Sequence, residues 1–444
     1  MSSIFKAYDI RGIYGKDLTD AVAYDVGRAY VSFTRAKTVV VGRDCRSHSL
    51  PLQTALMRGL TDQGADVIDI GLCSTPMNYY ANGALKADGS IMITASHNPA
   101  AWNGFKMCTA QAVPLFSETG IYDIGRRVTE RTFDALPDAP GSVREHDILP
   151  AYRDHVRRHI AYTRRPKLLM DYANGMGIVE AKTFLDTVDT EGLFDTLDGT
   201  FPNHEANPLR TATLADLQRT IPGKGFDFGI AFDGDADRVG FVDELGNIVS
   251  MDLVAALIAQ DVLAREKGVI CYDLRASRIL PEVIEANGGH AEMSRVGHAF
   301  VKQRMRQFDA LFAGELSGHY YFRDNFTAES SSMAVIALCN ILTASGKTLS
   351  ELIAPLRKYH HSGEINSNVD GTTQEVLDDI RHTYADANLS DLDGITVTYP
   401  TWRFNVRCSN TEPLVRLNLE SFISKDDRDC RITEVLALIR KPRH

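Results

Sequence analysis

One pattern, a short apolar strand running into a polar loop, occurs three times in this chain and restricts its fold more than any other feature. The first strands of the three units end at Thr38–Asp44, Lys167–Asn174 and Val269–Arg275. Each is a β-branched or apolar run closed by charged or polar residues, as in the buried strands of a parallel sheet. A helical stretch follows, for example Leu50–Gln63 or Ile279–Asn287. Each unit then delivers a second strand with its own polar loop: Gly89–Asn98, Asp227–Arg238 and Ala310–His319. Ligands of open α/β sheets bind beyond the carboxyl ends of strands, so the three loops are expected to meet in one cleft.

The boundaries follow from weaker signals. Pro137–Gly141 reads as a linker, the turn at Asp243–Gly246 as the separation of the second and third units, and Ser362–Asn368 as the close of the third. Beyond it come a strand edge and helix in Val369–Ala387, strands at Gly394–Val397, Trp402–Val406 and Leu414–Glu420, and a last helix at Ile432–Ile439. The predicted class is α/β: three similar α/β domains with mixed, mostly parallel sheets, plus a smaller C-terminal α+β domain around a central cleft. The expected divisions are 1–150, 151–249, 250–364 and 365–444, and 444 residues leave room for about three domains, give or take one.

Composition narrows the function. A net charge of −10 argues against nucleic acid as the main partner, which needs a basic footprint. Anionic small ligands remain open, because a local Arg and Lys cluster can outweigh a distant acidic surface. Seven scattered cysteines without a C-x-x-C fit reduced thiols and a cytoplasmic location. Met1–Arg11 has no signal-peptide core, and the uncharged stretch between Glu329 and Lys347 reads as a buried helix; no membrane association is expected.

Each loop carries candidate chemistry beside a plainer reading. In Thr94–Pro99 (TASHNP), Ser96 follows an apolar strand and could be a nucleophile or phosphate carrier. Equally, Ser96 and Asn98 could only form a turn or cap. The G-x-S-x-G elbow of α/β-hydrolases is absent. Asp233, Asp235 and Asp237 alternate after a strand and would repel one another unless a cation neutralised them. Oxygen ligands favour Mg²⁺ or Ca²⁺. A calcium EF-hand fits Glu244 at its twelfth position but not Arg238 at its sixth, where Gly is needed, so Mg²⁺ is favoured. The alternative is a solvated acidic turn. Arg238 could bind a phosphate oxygen.

In Gly314–His319, Glu315 and Ser317 could bind vicinal sugar hydroxyls, with His319 either structural or functional. His298 and Lys302 lie four apart, on one face if helical, which suits a general acid/base beside a phosphate clamp. Arg407, Ser409, Asn410 and Thr411 could cradle a phosphate or form an ordinary turn. Tyr8–Gly12 adds Arg11.

Together these motifs resemble the α-D-phosphohexomutase family, in particular its phosphomannomutase/phosphoglucomutase branch. TASHNP with NGFK, DGDADR, GELSGH and RCSNTEP stand in the family's order, and FKAYDIRGIYG opens the chain as in the family. The resemblance covers essentially the whole chain. It implies an isomerase of carbohydrate metabolism that interconverts hexose 1- and 6-phosphates and serves nucleotide-sugar supply. Ser96 would carry the transferable phosphoryl group and pass it through a hexose 1,6-bisphosphate, also the activator. Asp233, Asp235 and Asp237 would hold Mg²⁺ together with the Ser96 phosphate. Glu315, Ser317, His319 and Arg275 would bind the sugar. Arg407, Ser409, Asn410 and Thr411 would grip its other phosphate. Arg11, Lys106, His298 and Arg238 would supply acid/base and charge-stabilising groups. The four domains would be, in order, phosphoserine-loop, metal-binding, sugar-binding and phosphate-binding.

Small differences from relatives bear on substrate preference. Ala100, Ala101 and Trp102 replace a second proline and a tyrosine common among them, Ala236 an aromatic residue, and Arg275 a lysine. Asn410 leans away from hexosamine mutases, which more often carry Gly there. A bisphosphate needs a basic cleft, for which Arg11, Arg43, Lys106, Arg238, Arg275, Lys302 and Arg407 are the candidates. Turning the intermediate round motivates a hinge near Ser362–Asn368. The competing readings are a phosphoglucosamine mutase, a metal-dependent phosphatase and a non-catalytic sugar-phosphate- or calcium-binding homologue. The expected partners are small-molecule hexose phosphates, with the chain a monomer or homodimer.

Overall fold

On the strand Thr38–Arg43, Val39 and Val41 pack into one apolar cluster and Val40 into another. Period-two alternation with both faces apolar requires cover on both sides. In the computed structural model, which describes residues 4–408 and 414–442, helices Asp20–Thr34 and Ser49–Asp62 pack on one face and Thr75–Ala84 on the other. The first sheet has seven strands. Its main path runs Ile10–Ile13, Trp102–Thr109, Gly89–Ile93, Thr38–Arg43, Asp66–Leu72, Val143–Glu145.

Two five-stranded sheets repeat its central plan. In the second, Lys167–Asp171 pairs parallel with Phe228–Phe232, which pairs antiparallel with Val239–Asp243. In the third, Val269–Asp273 pairs parallel with Phe312–Gly314, which pairs antiparallel with Tyr320–Phe322. The first sheet does the same with Thr38–Arg43, Gly89–Ile93 and Trp102–Thr109. The three polar loops therefore occupy one topological position, where a parallel strand turns back into a hairpin. Each contains a left-handed residue, Ser96 (φ 51°), Ala236 (φ 61°) or Gly318 (φ 87°), that reverses the chain. Parallel pairing covers one half of each sheet and antiparallel pairing the other, so parallel strands do not predominate.

The fourth sheet is antiparallel throughout, in the order His360–Asn368, Leu414–Ser421, Trp402–Cys408, Ile395–Thr398, Asn388–Ser390. Helices Thr373–Thr383 and Lys425–Ile439 contribute to its separate core.

Two punctuation signals meant something else. The turn at Asp243–Gly246 lies inside the second sheet, because Ile248–Val249 returns to pair with Val239–Asp243. Ser362–Asn368 belongs to the opening strand of the fourth sheet rather than closing the third unit. The Glu329–Lys347 stretch holds the buried helix Ser331–Ser345. Among the described residues, no single helix is long and apolar enough to cross a membrane. All seven cysteines are free.

Candidate active site

The fully buried strand Gly89–Ile93 delivers Ser96. Thr94 Oγ1 accepts the Ser96 N–H at 2.9 Å. Arg46 then wires the loop in place. Its guanidinium donates to the carbonyls of Pro99 (2.8 Å), Trp102 (3.0 Å), Ser96 (2.8 Å) and Asn98 (2.7 Å), and its Nε donates to Asp44 at 3.1 Å. All five donors of this buried side chain are used, so the loop's carbonyls are satisfied without water. Arg11, held by Asp9 at 2.9 Å, donates to the Asn98 side chain and the Ala95 carbonyl.

Ser96 Oγ is buried and donates to Asp233 Oδ2 at 2.7 Å. The two loops meet backbone to backbone: a Cβ on Gly234 would stand 2.3 Å from the Ser96 carbonyl oxygen, so only glycine fits. Asp233, Asp235 and Asp237 are all buried, and one oxygen from each falls within a 4.8 Å cluster. That excludes the solvated acidic turn. Lys106 Nζ donates to Asp235 Oδ2 at 2.7 Å and to Asp237 Oδ2, and Thr75 donates to Asp235 Oδ2 at 2.6 Å. Asp235 Oδ1 remains buried with no hydrogen-bond partner among the described residues, and Asp237 Oδ1 has the His319 ring 3.3 Å away. Burial and its two carboxylate neighbours push the Asp233 carboxyl well above its ordinary range, the mark of a site short of positive charge. Buried, orphaned hard oxygens fit a divalent cation. The EF-hand reading fails: the residues before Asp233 form the strand Phe228–Phe232, and Glu244 instead accepts the N–H of Ser350 at 3.1 Å.

The third loop joins this centre through His319. Its Nε2 lies 3.3 Å from Asp237 Oδ1, and its Nδ1 lies 2.9 Å from Glu315 Oε2 and 2.9 Å from Ser317 Oγ. Burial lowers the imidazole's affinity for a proton. The carboxylates of Asp237 and Glu315 outweigh it and push His319 up to about 9. Glu315 is held well below its ordinary range, His319 and Arg275 outweighing the burial. It also accepts the Gly297 N–H at 3.1 Å and the Tyr321 hydroxyl. Arg238 Nε lies 3.3 Å from His319 Nε2 and 3.8 Å from Asp233 Oδ2.

His298 and Lys302 share a helix, His298–Phe308, as the spacing predicts, but only His298 belongs to the site. Lys302 is fully buried. It pairs with Glu329 at 2.6 Å and sits 3.7 Å from the centre of the Tyr79 ring, so it does not line the cleft. Neither ring nitrogen of His298 has a hydrogen-bond partner among the described residues. Its Nδ1 lies 3.6 Å from Glu329 Oε1. Burial, with Lys302 and Lys106 nearby, holds the ring well below its ordinary pKa, so the imidazole is uncharged.

Arg275 grips Asp273 through two nitrogens, at 3.2 and 2.8 Å, and its Nη2 lies 3.9 Å from Glu315 Oε1. Arg407 Nη2 donates to Glu364 at 2.5 Å. Ser409, Asn410 and Thr411 lie outside the described residues. The Arg43 Nε is buried with no hydrogen-bond partner among those residues. Sequence reasoning missed Arg46, Thr75, Glu329 and Glu364. Only Arg46 carried a signal, a charged residue just past the strand end Thr38–Arg43.

Comparison with known proteins matches the three α/β units. Models of phosphoglucomutase/phosphomannomutase alpha/beta/alpha domains I, II and III match residues 2–134, 150–246 and 250–359. A phosphomannomutase of Escherichia coli is 38% identical over 451 residues, covering 98% of this chain and 99% of that one. A phosphomannomutase of Methanocaldococcus jannaschii is 38% identical over 443 residues, covering 99% and 98%. The crystal structure of a phosphoglucomutase/phosphomannomutase family protein from Burkholderia thailandensis superposes with a TM-score of 0.90 at 33% identity, covering 98% of this chain and 96% of that one. With three domain models matched in order and this identity over nearly its whole length, the chain belongs to the α-D-phosphohexomutase family.

Proposed function

We propose that this mutase is a phosphomannomutase, with glucose phosphates as second substrates, working through phospho-Ser96 and a hexose 1,6-bisphosphate. The observation that carries the reading is the buried Ser96 Oγ, 2.7 Å from Asp233 in a carboxylate triplet, on a loop that Arg46 holds by four carbonyls. A serine so placed can carry a phosphoryl group and return to one position after each transfer.

In this reading the sugar hydroxyl attacks the phosphorus of phospho-Ser96. A P–O bond to the sugar forms and the P–Oγ bond breaks. Of Arg11, Lys106 and His298, Lys106 is held protonated, Asp235 and Asp237 outweighing its burial, and an arginine does not give up its proton. His298 is neutral with unpartnered nitrogens, so it takes the hydroxyl proton and returns it in the second half-reaction. The Ser96 oxygen is released beside Lys106 and Arg238, and preorganised charge there stabilises the transition state. Asp233, Asp235 and Asp237 would hold Mg²⁺ with the Ser96 phosphate. When bound, the ion would neutralise the transferring phosphoryl oxygens. Glu315, oriented by His319, the Gly297 N–H and Tyr321, accepts sugar hydroxyl protons together with Ser317. Arg407, with Ser409, Asn410 and Thr411, grips the phosphate that is not transferred. The chain would divide, in order, into phosphoserine-loop, metal-binding, sugar-binding and phosphate-binding domains, with the expected cuts at 150 and 364 moved off the helix Leu149–Arg157 and off the strand His360–Asn368, which opens the fourth sheet.

Mannose and glucose phosphates differ at the 2-hydroxyl. A pair of groups reading two hydroxyls common to both discriminates weakly, on the order of 1–3 kcal/mol. The test is ³¹P NMR of mannose 1-phosphate with the protein, Mg²⁺ and a trace of glucose 1,6-bisphosphate. Mannose 6-phosphate should accumulate, and Ser96→Ala should be silent. Accumulating free phosphate would point to a phosphatase. Turnover of glucosamine phosphate alone would point to a hexosamine mutase.

A further inference from the structure

The mechanism leaves Glu364 unused, although it sits among arginines that include Arg407, the group meant for phosphate. It lies on the opening strand of the fourth sheet, His360–Asn368, where the pairing with Leu414–Ser421 slips between His361 and Glu364. Gly363 has φ 70° there, and such a bulge re-aims the next side chain. Glu364 Oε2 lies 2.5 Å from Arg407 Nη2 and 3.9 Å from Arg275 Nη1, and Oε1 lies 3.2 Å from Arg416 Nη1. Arg275 already has Asp273 as a partner at 2.8 Å, whereas the shortest contact of the group is that of Arg407 with this carboxylate. Arg407 is buried, with 5% of its side chain accessible, whereas Glu364 has 26% and faces water.

An accessible carboxylate at the centre of a guanidinium cluster offers two oxygens where a phosphate would offer the same two. Without it, the buried Arg407 would keep, among the described residues, only the weaker influence of Asp393 as counter-charge whenever the cleft was empty. We propose that Glu364 is an internal stand-in for the substrate's phosphate: it occupies the Arg407–Arg416 clamp in the empty enzyme and is displaced when a phosphate monoester arrives. This rests on the reading of Arg407 as a phosphate clamp. Competition from Glu364 makes phosphate binding an exchange of anions, not a capture. The bisphosphate can then leave the clamp and turn round, because the carboxylate takes back the guanidinium groups as the phosphate departs. No covalent step is involved.

The experiment is calorimetric titration of inorganic phosphate into the wild-type protein, Glu364→Gln, Glu364→Ala and Arg407→Ala, beside turnover of mannose 1-phosphate. Glu364→Gln keeps the size and loses the charge, and it should bind phosphate roughly fivefold tighter, the scale of one partly exposed ion pair. Its turnover should fall, because the clamp releases more slowly. Glu364→Ala should also bind tighter. Unchanged or weaker binding in both Glu364 variants, with binding lost in Arg407→Ala, would make Glu364 a brace for Arg407 and overturn the proposal. Unchanged binding in Arg407→Ala would instead remove the clamp reading itself, and this proposal with it.

Discussion

The first three units and the fourth are joined by different physics. A single apolar cluster runs from Val40 and Met77 in the first unit, through Phe232 and Phe241 in the second, to Phe312 and Leu338 in the third. The fourth unit has its own cluster, from Val376 to Ile439. At the three-way junction the buried carboxylate of Glu180 accepts hydroxyls from Ser74 (2.5 Å) of the first unit, Tyr152 (2.9 Å) and Ser332 (2.5 Å). The fourth unit is attached mainly by polar contacts: Glu420 accepts the Arg278 N–H at 3.0 Å, Arg403 reaches the Ala276 carbonyl, and Asp393 accepts the Val296 N–H at 3.1 Å, with Phe422 adding an aromatic contact to Tyr359. Apolar burial is lost outright on separation, whereas a hydrogen bond can be exchanged for one to water at small net cost. Ser96, the Asp triplet, His298 and Glu315 thus share one welded body, and Arg407 rides on another that can shift.

The welded junction should respond most strongly to mutation. Glu180→Ala leaves three buried hydroxyls without their acceptor, a loss of about 3 kcal/mol at the scale of hydrogen bonds to charged groups. The main melting transition should drop, and Ser96 phosphorylation should become inefficient as the first two units lose register. An unchanged melt would mean that apolar burial alone welds the junction.

Next in size is Gly234→Ala. The added methyl must displace either the Ser96 carbonyl or the metal-loop backbone. A misplacement near 1 Å costs on the order of a hundredfold in turnover. Activity should fall by that factor while the melt, set by the larger cores, moves little. Wild-type activity would show that the two loops are not held in fixed contact.

The same contrast explains what could be read in advance. The strand runs at Thr38, Lys167 and Val269 and the loops carrying Ser96, Asp233 and Glu315 were legible, because a short apolar run, three or four residues in those strands, ending in polar or charged residues is a local signal. Lys302 was misread because its partner, Glu329, lies far along the chain and local spacing cannot report burial. Glu180 was invisible for the same reason, and Arg46 showed no more than a charge just past a strand end: their partners come from loops and units distant in sequence. The turn at Asp243–Gly246 carries the signature of a boundary, but such chemistry serves a hairpin equally well. Glu364 depends on a strand bulge, which no periodicity encodes.

A third prediction concerns the hold of the fourth unit. Val296 precedes Gly297, whose N–H goes to Glu315, and His298, so Asp393 touches the segment that leads into the reacting groups. Asp393→Ala removes one tie, worth about 1 kcal/mol, or roughly fivefold. That loss should appear in kcat/KM for mannose 1-phosphate and leave the melt unchanged. A loss confined to stability would place Asp393 in the packing of the fourth unit instead.

The last expected effect, felt only at acid pH, is a pH slope at the welded junction. His155 lies in the helix Leu149–Arg157, 4.7 Å from the Tyr80 ring, and its Nδ1 accepts a hydrogen bond from Arg158. Burial, then the charges of Arg158 and His159, lowers it to about 4, with Asn325 and Asp324 opposing. In the unfolded chain it titrates near its ordinary value of about 6.5. Between these values the unfolded state binds more protons, so stability rises with pH across that window and is lost as pH falls through it. Arg158 cannot donate to a protonated Nδ1, which gives the same sign from geometry. Melting temperature followed from pH 7 down to pH 4 should therefore fall less steeply for His155→Gln than for the wild type. Parallel curves would mean that acid attacks elsewhere first, and that the welded body does not set the acid limit of this protein.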